Sequence, residues 1–279
     1  MKKFFFVLLF ALTANAQEHL TTGPENGTLV IVGGGRVVDT ITKKYIELAG
    51  GIDAPMVVIP TAGGDDIYGE DYYFAERLRA FGVKKVTVVH TYDRAEADTE
   101  AFTQPLKDAK AVWFGGGRQW RLVDAYADTK TEQLIWEVLN KGGVIGGSSA
   151  GATIQGSYLA RGDTQNNQIM MGDHEEGFGF IKNIAIDQHV LARNRQFDMF
   201  NILKNRPELL GIGIDESTAV IVKGDQFEVV GASKVLIYDG TFWSREGSQL
   251  KNLPSKDNLF YFLQSGDRYD MKSRSVVTD

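Results

Sequence analysis

Gly142-Gly143-Val144-Ile145-Gly146-Gly147-Ser148-Ser149-Ala150-Gly151-Ala152 holds a serine between two glycines where an apolar strand turns into a helix. Small residues on either side let the backbone take a sharp, strained turn, which lifts the serine hydroxyl clear of the sheet and admits a substrate. The helix that starts near Ala150 aims free N–H groups at the same point, where they stabilise developing negative charge. The pattern Gly-x-Ser-x-Gly is short, and a chain with 31 glycines meets it by chance in ordinary turns. Here Val144-Ile145 reads as the preceding strand and residues 150–155 suit the following helix, so the context agrees and Ser149 is the candidate nucleophile.

Outward from this elbow, short β-branched runs alternate with longer amphipathic ones, the mark of a parallel sheet flanked by helices. Residues 28–32, 56–60, 83–90 and 111–114 read as strands, and 38–49, 73–81 and 131–139 as helices. Phe74, Leu78 and Phe81 share one face of the second helix, and Leu134, Ile135, Val138 and Leu139 form a stripe on the third. Residues 184–186 and 211–214 are the next strand candidates. After Glu216, short strands at 219–223, 227–230 and 234–238 are separated by turn residues, which predicts antiparallel hairpins at a sheet edge. Phe260-Tyr261-Phe262-Leu263 predicts a helix docked on the sheet, with a loose tail after it.

Composition narrows the setting. Lys2-Lys3, the apolar residues 4–12 and Ala14-Asn15-Ala16 form the three-part pattern of a secretory signal peptide cleaved after Ala16, too short to span a bilayer. The expectation is a protein secreted or held in the periplasm, with residues 17–279 as one domain. Removing the leader takes two of 30 basic residues and leaves 28 against 36 acidic ones, a formal charge of about −8 that disfavours nucleic acid and anionic membranes. Cysteine is absent, which excludes disulfides, a thiol nucleophile and a cysteine-rich zinc site. No His-Glu-x-x-His or paired-histidine spacing occurs, so neither a metal nor a cofactor is expected.

Two glycine-rich turns follow strands, Val32-Gly33-Gly34-Gly35-Arg36 and Phe114-Gly115-Gly116-Gly117-Arg118-Gln119. Neither completes a dinucleotide fingerprint, because Val38 and Trp120 occupy the sixth position where a glycine is needed. The first reads as a tight β-to-α turn; the second, followed by a polar Arg118-Gln119 pair at a strand's C-terminal end, reads as part of a ligand edge. Of four histidines, His19 lies at the start of the mature chain, and His90 and His174 suit packing or surface roles. His189 closes Ile186-Asp187-Gln188-His189 directly after a short strand and precedes Arg193 and Arg195, which makes it the candidate base. Asp215 and Glu216, after the strand at 211–214, both qualify as the acid that orients an imidazole, and the residues alone leave that choice open.

Taken together these stretches closely resemble the cyanophycinase and aspartyl dipeptidase family of serine peptidases. The likeness runs from Thr28 to about Lys223 and comprises five motifs in the family's order: Ile31-Val32-Gly33-Gly34-Gly35, the 114–119 turn, Gly147-Ser148-Ser149-Ala150-Gly151-Ala152, Asp187-Gln188-His189 with arginines beyond, and Gly211-Ile212-Gly213-Ile214-Asp215-Glu216. The family fold is similar to the class I glutamine amidotransferase domain, a three-layer α/β sandwich with a mostly parallel central sheet in which serine replaces the amidotransferase cysteine. The resemblance implies a Ser149–His189–Glu216 triad, oxyanion donors at Ala150 and Gly117, and substrate-binding positions at Gln119, Gln188, Arg193 and Arg195. It also implies cleavage next to aspartate; cyanophycinases release β-aspartyl-arginine from a polyaspartate backbone decorated with arginine. The implied substrate is an aspartate-containing peptide or a cyanophycin-like polymer, and a homodimer is left open.

Two departures from the family pattern stand out. Arg118 occupies the place of a typical aspartate, and Asp198 that of a further arginine after the histidine. The expectation drawn from Asp198 is that it lowers the local positive potential and repels a polyaspartate chain, so that Asp198→Arg would raise cyanophycin cleavage. Two rival readings share the elbow. An α/β-hydrolase esterase orders its triad as serine, acid, histidine, whereas here the histidine precedes the acid. A peptide-binding protein on a retired hydrolase scaffold would draw its support from Arg118 and Asp198.

Overall fold

The computed structural model describes residues 20–255 and 258–278. The expected leader and His19 lie outside the described residues. Among the described residues fourteen strands form two sheets: β1 (Thr28–Val32), β2 (Met56–Ile59), β3 (Val86–Val88), β4 (Ala111–Phe114), β5 (Val144–Ser148), β6 (Gly156–Tyr158), β7 (Ile181–Gln188), β8 (Leu210–Ile214), β9 (Thr218–Lys223), β10 (Gln226–Gly231), β11 (Lys234–Tyr238), β12 (Tyr261–Gln264), β13 (Arg268–Asp270) and β14 (Ser275–Val277).

The large sheet runs β14-β13-β10-β9-β1-β5-β4-β2-β3. Its five strands from β1 to β3 are mutually parallel, and β9, β10, β13 and β14 add an antiparallel flank. Because both faces are covered, β1, β2, β4 and β5 are buried at every residue and read as continuous apolar runs. Successive side chains divide between the faces. Val30, Val32, Val58 and Trp113 pack with the helices Asp39–Leu48 and Tyr73–Ala80, where Phe74 stacks on Trp113 at 3.8 Å between ring centroids. Leu29, Ile31, Val57 and Phe114 face the other way, toward the helices Glu100–Lys107, Gln119–Tyr126 and Lys130–Asn140. This is the α/β sandwich with a mostly parallel central sheet that the strand-helix alternation predicts.

The second sheet, β12-β11-β8-β7-β6, was not anticipated. Its strands β7 and β8 contribute Ile184, Ile186, Ile212 and Ile214 to the same core as Leu29 and Ile31, so it stacks on the large sheet; its outer face carries Tyr158, Ala185, Leu236 and Tyr238 against the helix Met199–Asn205. The three strands expected after Glu216, β9 to β11, are antiparallel to their neighbours as expected, but of these β9 and β10 extend the large sheet whereas β11 pairs with β8 in the second. The helix expected around Phe260 is instead the strand β12. Tyr261 and Leu263 are buried while Phe262 and Gln264 are exposed, a period of two that suits the β preference of aromatic residues. The tail after it forms the β13–β14 hairpin on the large sheet's edge. Among the described residues no helix is long and apolar enough to cross a membrane.

Candidate active site

Ser149 stands between β5 and the helix Ala150–Thr153 with φ 59° and ψ −113°. A non-glycine residue in that conformation stores about 1–3 kcal/mol of strain, so the surroundings must hold it. The Ser149 N–H donates to the Val32 carbonyl at 3.0 Å, which ties the elbow to the end of β1. The flanking glycines are required by backbone approach. A Cβ on Gly147 would lie 2.2 Å from the Gly151 carbonyl oxygen, and one on Gly151 would lie 2.3 Å from that of Phe114.

His189 follows β7 at φ 56°, with its N–H donating to the Gly33 carbonyl at 2.8 Å. Its Nε2 lies 2.9 Å from Ser149 Oγ and its Nδ1 lies 2.6 Å from Glu216 Oε1. With Nδ1–H donated to the carboxylate, Nε2 is left to accept the serine proton. Burial holds the imidazole below its ordinary pKa; Glu216 opposes this, and Arg193 and Arg195 add to it. The ring is therefore neutral, as a base must be, to lower pH than a free histidine.

The structure separates the two carboxylates that the residues alone left undecided. Asp215 turns away from the ring: Oδ1 accepts the Leu191 and Ala192 N–H groups at 3.0 and 2.9 Å, and Oδ2 accepts the Ser233 hydroxyl at 2.6 Å. Burial would raise its pKa, but the Ser233 and backbone hydrogen bonds outweigh it and hold the carboxyl below its ordinary value. Asp215 thus anchors the loop that follows His189.

The first glycine turn connects β1 to the helix Asp39–Leu48 as its reading as a tight β-to-α turn requires, and it also lies against the site. A Cβ on Gly34 would lie 2.2 Å from His189 Cε1, and one on Gly35 would lie 2.7 Å from Glu216 Oε2. The turn is the bed on which the imidazole and the carboxylate rest. In the second turn, Gly116 meets the serine, its Cβ position lying 3.4 Å from Ser149 Cβ. Gly117, the expected donor, has φ 144° and packs its Cα on the Ala62 carbonyl, where a Cβ would lie 2.0 Å from the oxygen. Ala150 begins the elbow helix, where N–H groups lack intrahelical acceptors.

The remaining expected residues divide. Gln119 is buried and donates Nε2 to the carbonyls of Ala160 and Arg161 at 2.6 and 2.9 Å, so any substrate contact falls to its Oε1. Gln188 is buried too, receiving Arg195 Nη1 at 3.4 Å on Oε1. Arg195 is 8% exposed, and among the described residues no carboxylate lies within ion-pair reach of it. Arg193 is exposed. Asp198 corrects the expectation of a repelling charge: its Oδ2 lies 2.6 Å from Arg161 Nη2, so its charge is matched inside the protein. Arg118 donates Nη2 to the Asp163 carbonyl at 2.5 Å. Arg161 was missed altogether, having no motif around it; its only signal in the sequence is a cation directly after an apolar segment.

His90 packs between Tyr68 and Tyr92 and contacts Thr61 Oγ1 at 2.9 Å, and His174 sits between Asp124 and Asp173. A cleft of about 520 Å³ bounded by Thr22, Trp136, Phe180 and Lys182 shares no lining residue with this site. Among the described residues no group of three or more His, Cys, Asp or Glu is gathered as a metal site.

Comparison with known proteins gives the family. The model of peptidase family S51 matches residues 25–230. A cyanophycinase of Geminocystis herdmanii is 33% identical over 250 residues, covering 85% of this chain and 90% of that protein. One of Trichormus variabilis is 28% identical over 286 residues, covering 95% and 93%. The crystal structure of a peptidase from an acI-B1 Actinobacterium superposes with a TM-score of 0.66 at 25% identity, covering 92% of this chain and 99% of that one. With a family match across most of its length and an elbow serine within reach of an imidazole, the chain belongs to peptidase family S51 and is a hydrolase, a serine peptidase.

Proposed function

We propose that this is a secreted or periplasmic peptidase that hydrolyses aspartyl or β-aspartyl bonds, with Ser149 as nucleophile, His189 as base and Glu216 as the acid that orients the ring. The observation that carries the reading is the unbroken chain from Ser149 Oγ through His189 to Glu216, at 2.9 and 2.6 Å. As Oγ bonds to the scissile carbonyl carbon, His189 Nε2 takes its proton and Glu216 stabilises the imidazolium. The oxyanion is met by the Ala150 N–H and by an N–H of the turn at 115–117, with Gly116 now the glycine beside the nucleophile. The imidazolium then protonates the departing amine nitrogen as the C–N bond breaks, leaving an ester on Ser149. Water attacks that ester, gives a proton to His189, and Oγ leaves with it.

Arg193 and Arg195 hold the substrate's aspartate carboxylate in this scheme. A nearly buried guanidinium with no carboxylate of its own is completed by one from a ligand, through two parallel hydrogen bonds that lysine does not reproduce. The names of the relatives support a cyanophycin-like polymer or a short aspartyl peptide as substrate. Purified protein assayed against cyanophycin, β-Asp-Arg, isoaspartyl and α-aspartyl dipeptides separates these. A fluorophosphonate probe should label the wild type and not Ser149→Ala; an unlabelled wild type sinks the mechanism. A secreted chain whose N-terminus is Gln17 would establish the leader.

A further inference from the structure

Two residues before His189 lies a buried ionic cluster that the reaction above does not use. Arg161 and Asp187 are each 1% exposed, and the guanidinium grips both carboxylate oxygens, Nε to Oδ1 at 2.7 Å and Nη2 to Oδ2 at 2.9 Å. The same Nη2 reaches Asp198 Oδ2 at 2.6 Å, and Nη1 donates to the Asn167 carbonyl at 2.9 Å. Every nitrogen of the fork is engaged. Arg161 itself sits at φ 59°, a conformation that L residues avoid. A buried ion pair is a poor source of stability, because desolvation offsets most of its Coulomb gain, and here it is joined to backbone strain. Its geometry therefore asks for another reason.

That reason is visible in what the cluster joins. Arg161 belongs to the segment after β6, and this segment is gripped from the oxyanion side by Gln119, on the carbonyls of Ala160 and Arg161, and by Arg118, on that of Asp163. On its other side Arg161 grips Asp187, at the end of the strand that delivers His189, and Asp198, where the loop carrying Arg193 and Arg195 enters the helix Met199–Asn205. One residue, held by Gln119 at its backbone carbonyl and holding Asp187 with its side chain, thus links the helix start after the 115–117 turn to the strand end that presents the imidazole.

We infer that Arg161 is a positioning residue that sets His189 against Ser149 through Asp187, with Asp198 as its partner and not a substrate contact. The inference rests on the catalytic reading of Ser149 and His189 given above. Lysine has no fork to match Asp187, so charge alone does not replace it.

The test is a set of four variants, Asp198→Asn, Arg161→Lys, Asp198→Arg and the double variant Arg161→Leu with Asp198→Arg, with folding followed by thermal denaturation. Asp198→Asn, which alters a half-exposed side chain, should lower kcat by about 5–10-fold at a nearly constant KM for acidic and neutral peptides alike. Arg161→Lys should lower kcat by ~10²-fold, the size of effect that a displacement of about 1 Å produces in a catalytic group. Asp198→Arg alone should be similarly impaired, because two guanidinium groups then face Asp187. In the double variant the arginine at 198 has Asp187 within reach, since both carboxylates flank one Nη2, and activity should return to within about tenfold of the wild type.

A changed KM with unchanged kcat in Asp198→Asn would make Asp198 a substrate contact and overturn the inference. So would a folded Arg161→Lys with wild-type kcat, or a double variant no better than the worse single one. Fluorophosphonate labelling keeps the two claims apart. A wild type that labels, beside Arg161 variants that label at the same rate, overturns the positioning role alone; a wild type that does not label overturns both.

Discussion

Gly33-Gly34-Gly35 after β1 and Gly115-Gly116-Gly117 after β4 flank the same strand, β5, whose end carries Ser149. In the first turn the space that a Cβ would take is already filled by protein, with His189 Cε1 at 2.2 Å from Gly34 and Glu216 Oε2 at 2.7 Å from Gly35. In the second, Gly116 has only ordinary contact, at 3.4 Å from Ser149 Cβ. Gly34 and Gly35 make room for the imidazole and the carboxylate, whereas in the second turn Tyr72 and Ala62 close the space at Gly115 and Gly117 and only Gly116 keeps room, beside the proposed nucleophile. The same residue type therefore marks two kinds of requirement, and substitution separates them.

The largest expected effect tests the strand between the turns. Ser149→Ala should lower kcat by about 10³-fold or more, as for a triad serine, while Ser148→Ala, a strand residue paired with Val32, should keep much of the activity. Equal losses in two folded variants would move the nucleophile off the elbow.

Next comes the first turn's cargo. Glu216→Gln keeps the shape but not the charge beside Nδ1 and should lower kcat by roughly 10³-fold or more, by analogy with neutralising the acid of a serine triad. Asp215→Asn should do less to kcat and more to thermal stability, because its carboxylate holds backbone N–H groups of residues 191 and 192. The reverse ranking in steady-state kinetics would exchange their roles.

The turns themselves give the sharpest contrast. Gly34→Ala puts a methyl inside the imidazole's space at φ 115° and should lower kcat by ~10²-fold through displacement of His189. Gly116→Ala should fold normally and lower kcat/KM only several-fold, by crowding the approach to Ser149. If both alanines behave alike, the distinction between the filled position at Gly34 and the open one at Gly116 is lost.

The smallest effect is electrostatic. His189 is held below its ordinary value of 6.5 by burial first and by Arg193 and Arg195 besides. Activity needs the neutral ring, so the acid limb of kcat/KM should lie below that value, with activity lost as pH falls through it. Arg193→Ala removes a positive neighbour, raises the imidazole pKa and should move the limb toward higher pH. A limb that stays in place would remove Arg193 from the ring's surroundings.

The features legible in the sequence were those that act over a few residues. The elbow was readable because Gly147, Ser149 and Gly151 are neighbours in the chain, and backbone approach there is a local requirement. The parallel strands were readable because burial on both faces writes a continuous apolar run. The motif order also brought out Ser149, His189 and Glu216 through the family resemblance, although the residues alone did not choose between Asp215 and Glu216.

What only the tertiary structure decided depends on distance through space. His189 meets Ser149 across 40 residues and Glu216 across 27, so which of two adjacent acids faces the ring is set by how β7 and β8 align, not by either acid's neighbours. Arg161 meets Asp198 across 37 residues, and without that contact Asp198 reads as a free negative charge. The apolar run at 260–263 fits a helix or a strand until an edge is offered to it, and β11 offers one. Gly34 reads as a turn until His189 occupies the space beside it. In each case neighbouring residues set a local preference and packing chose the partner, because partners are selected by contacts whose separation along the chain carries no local signal.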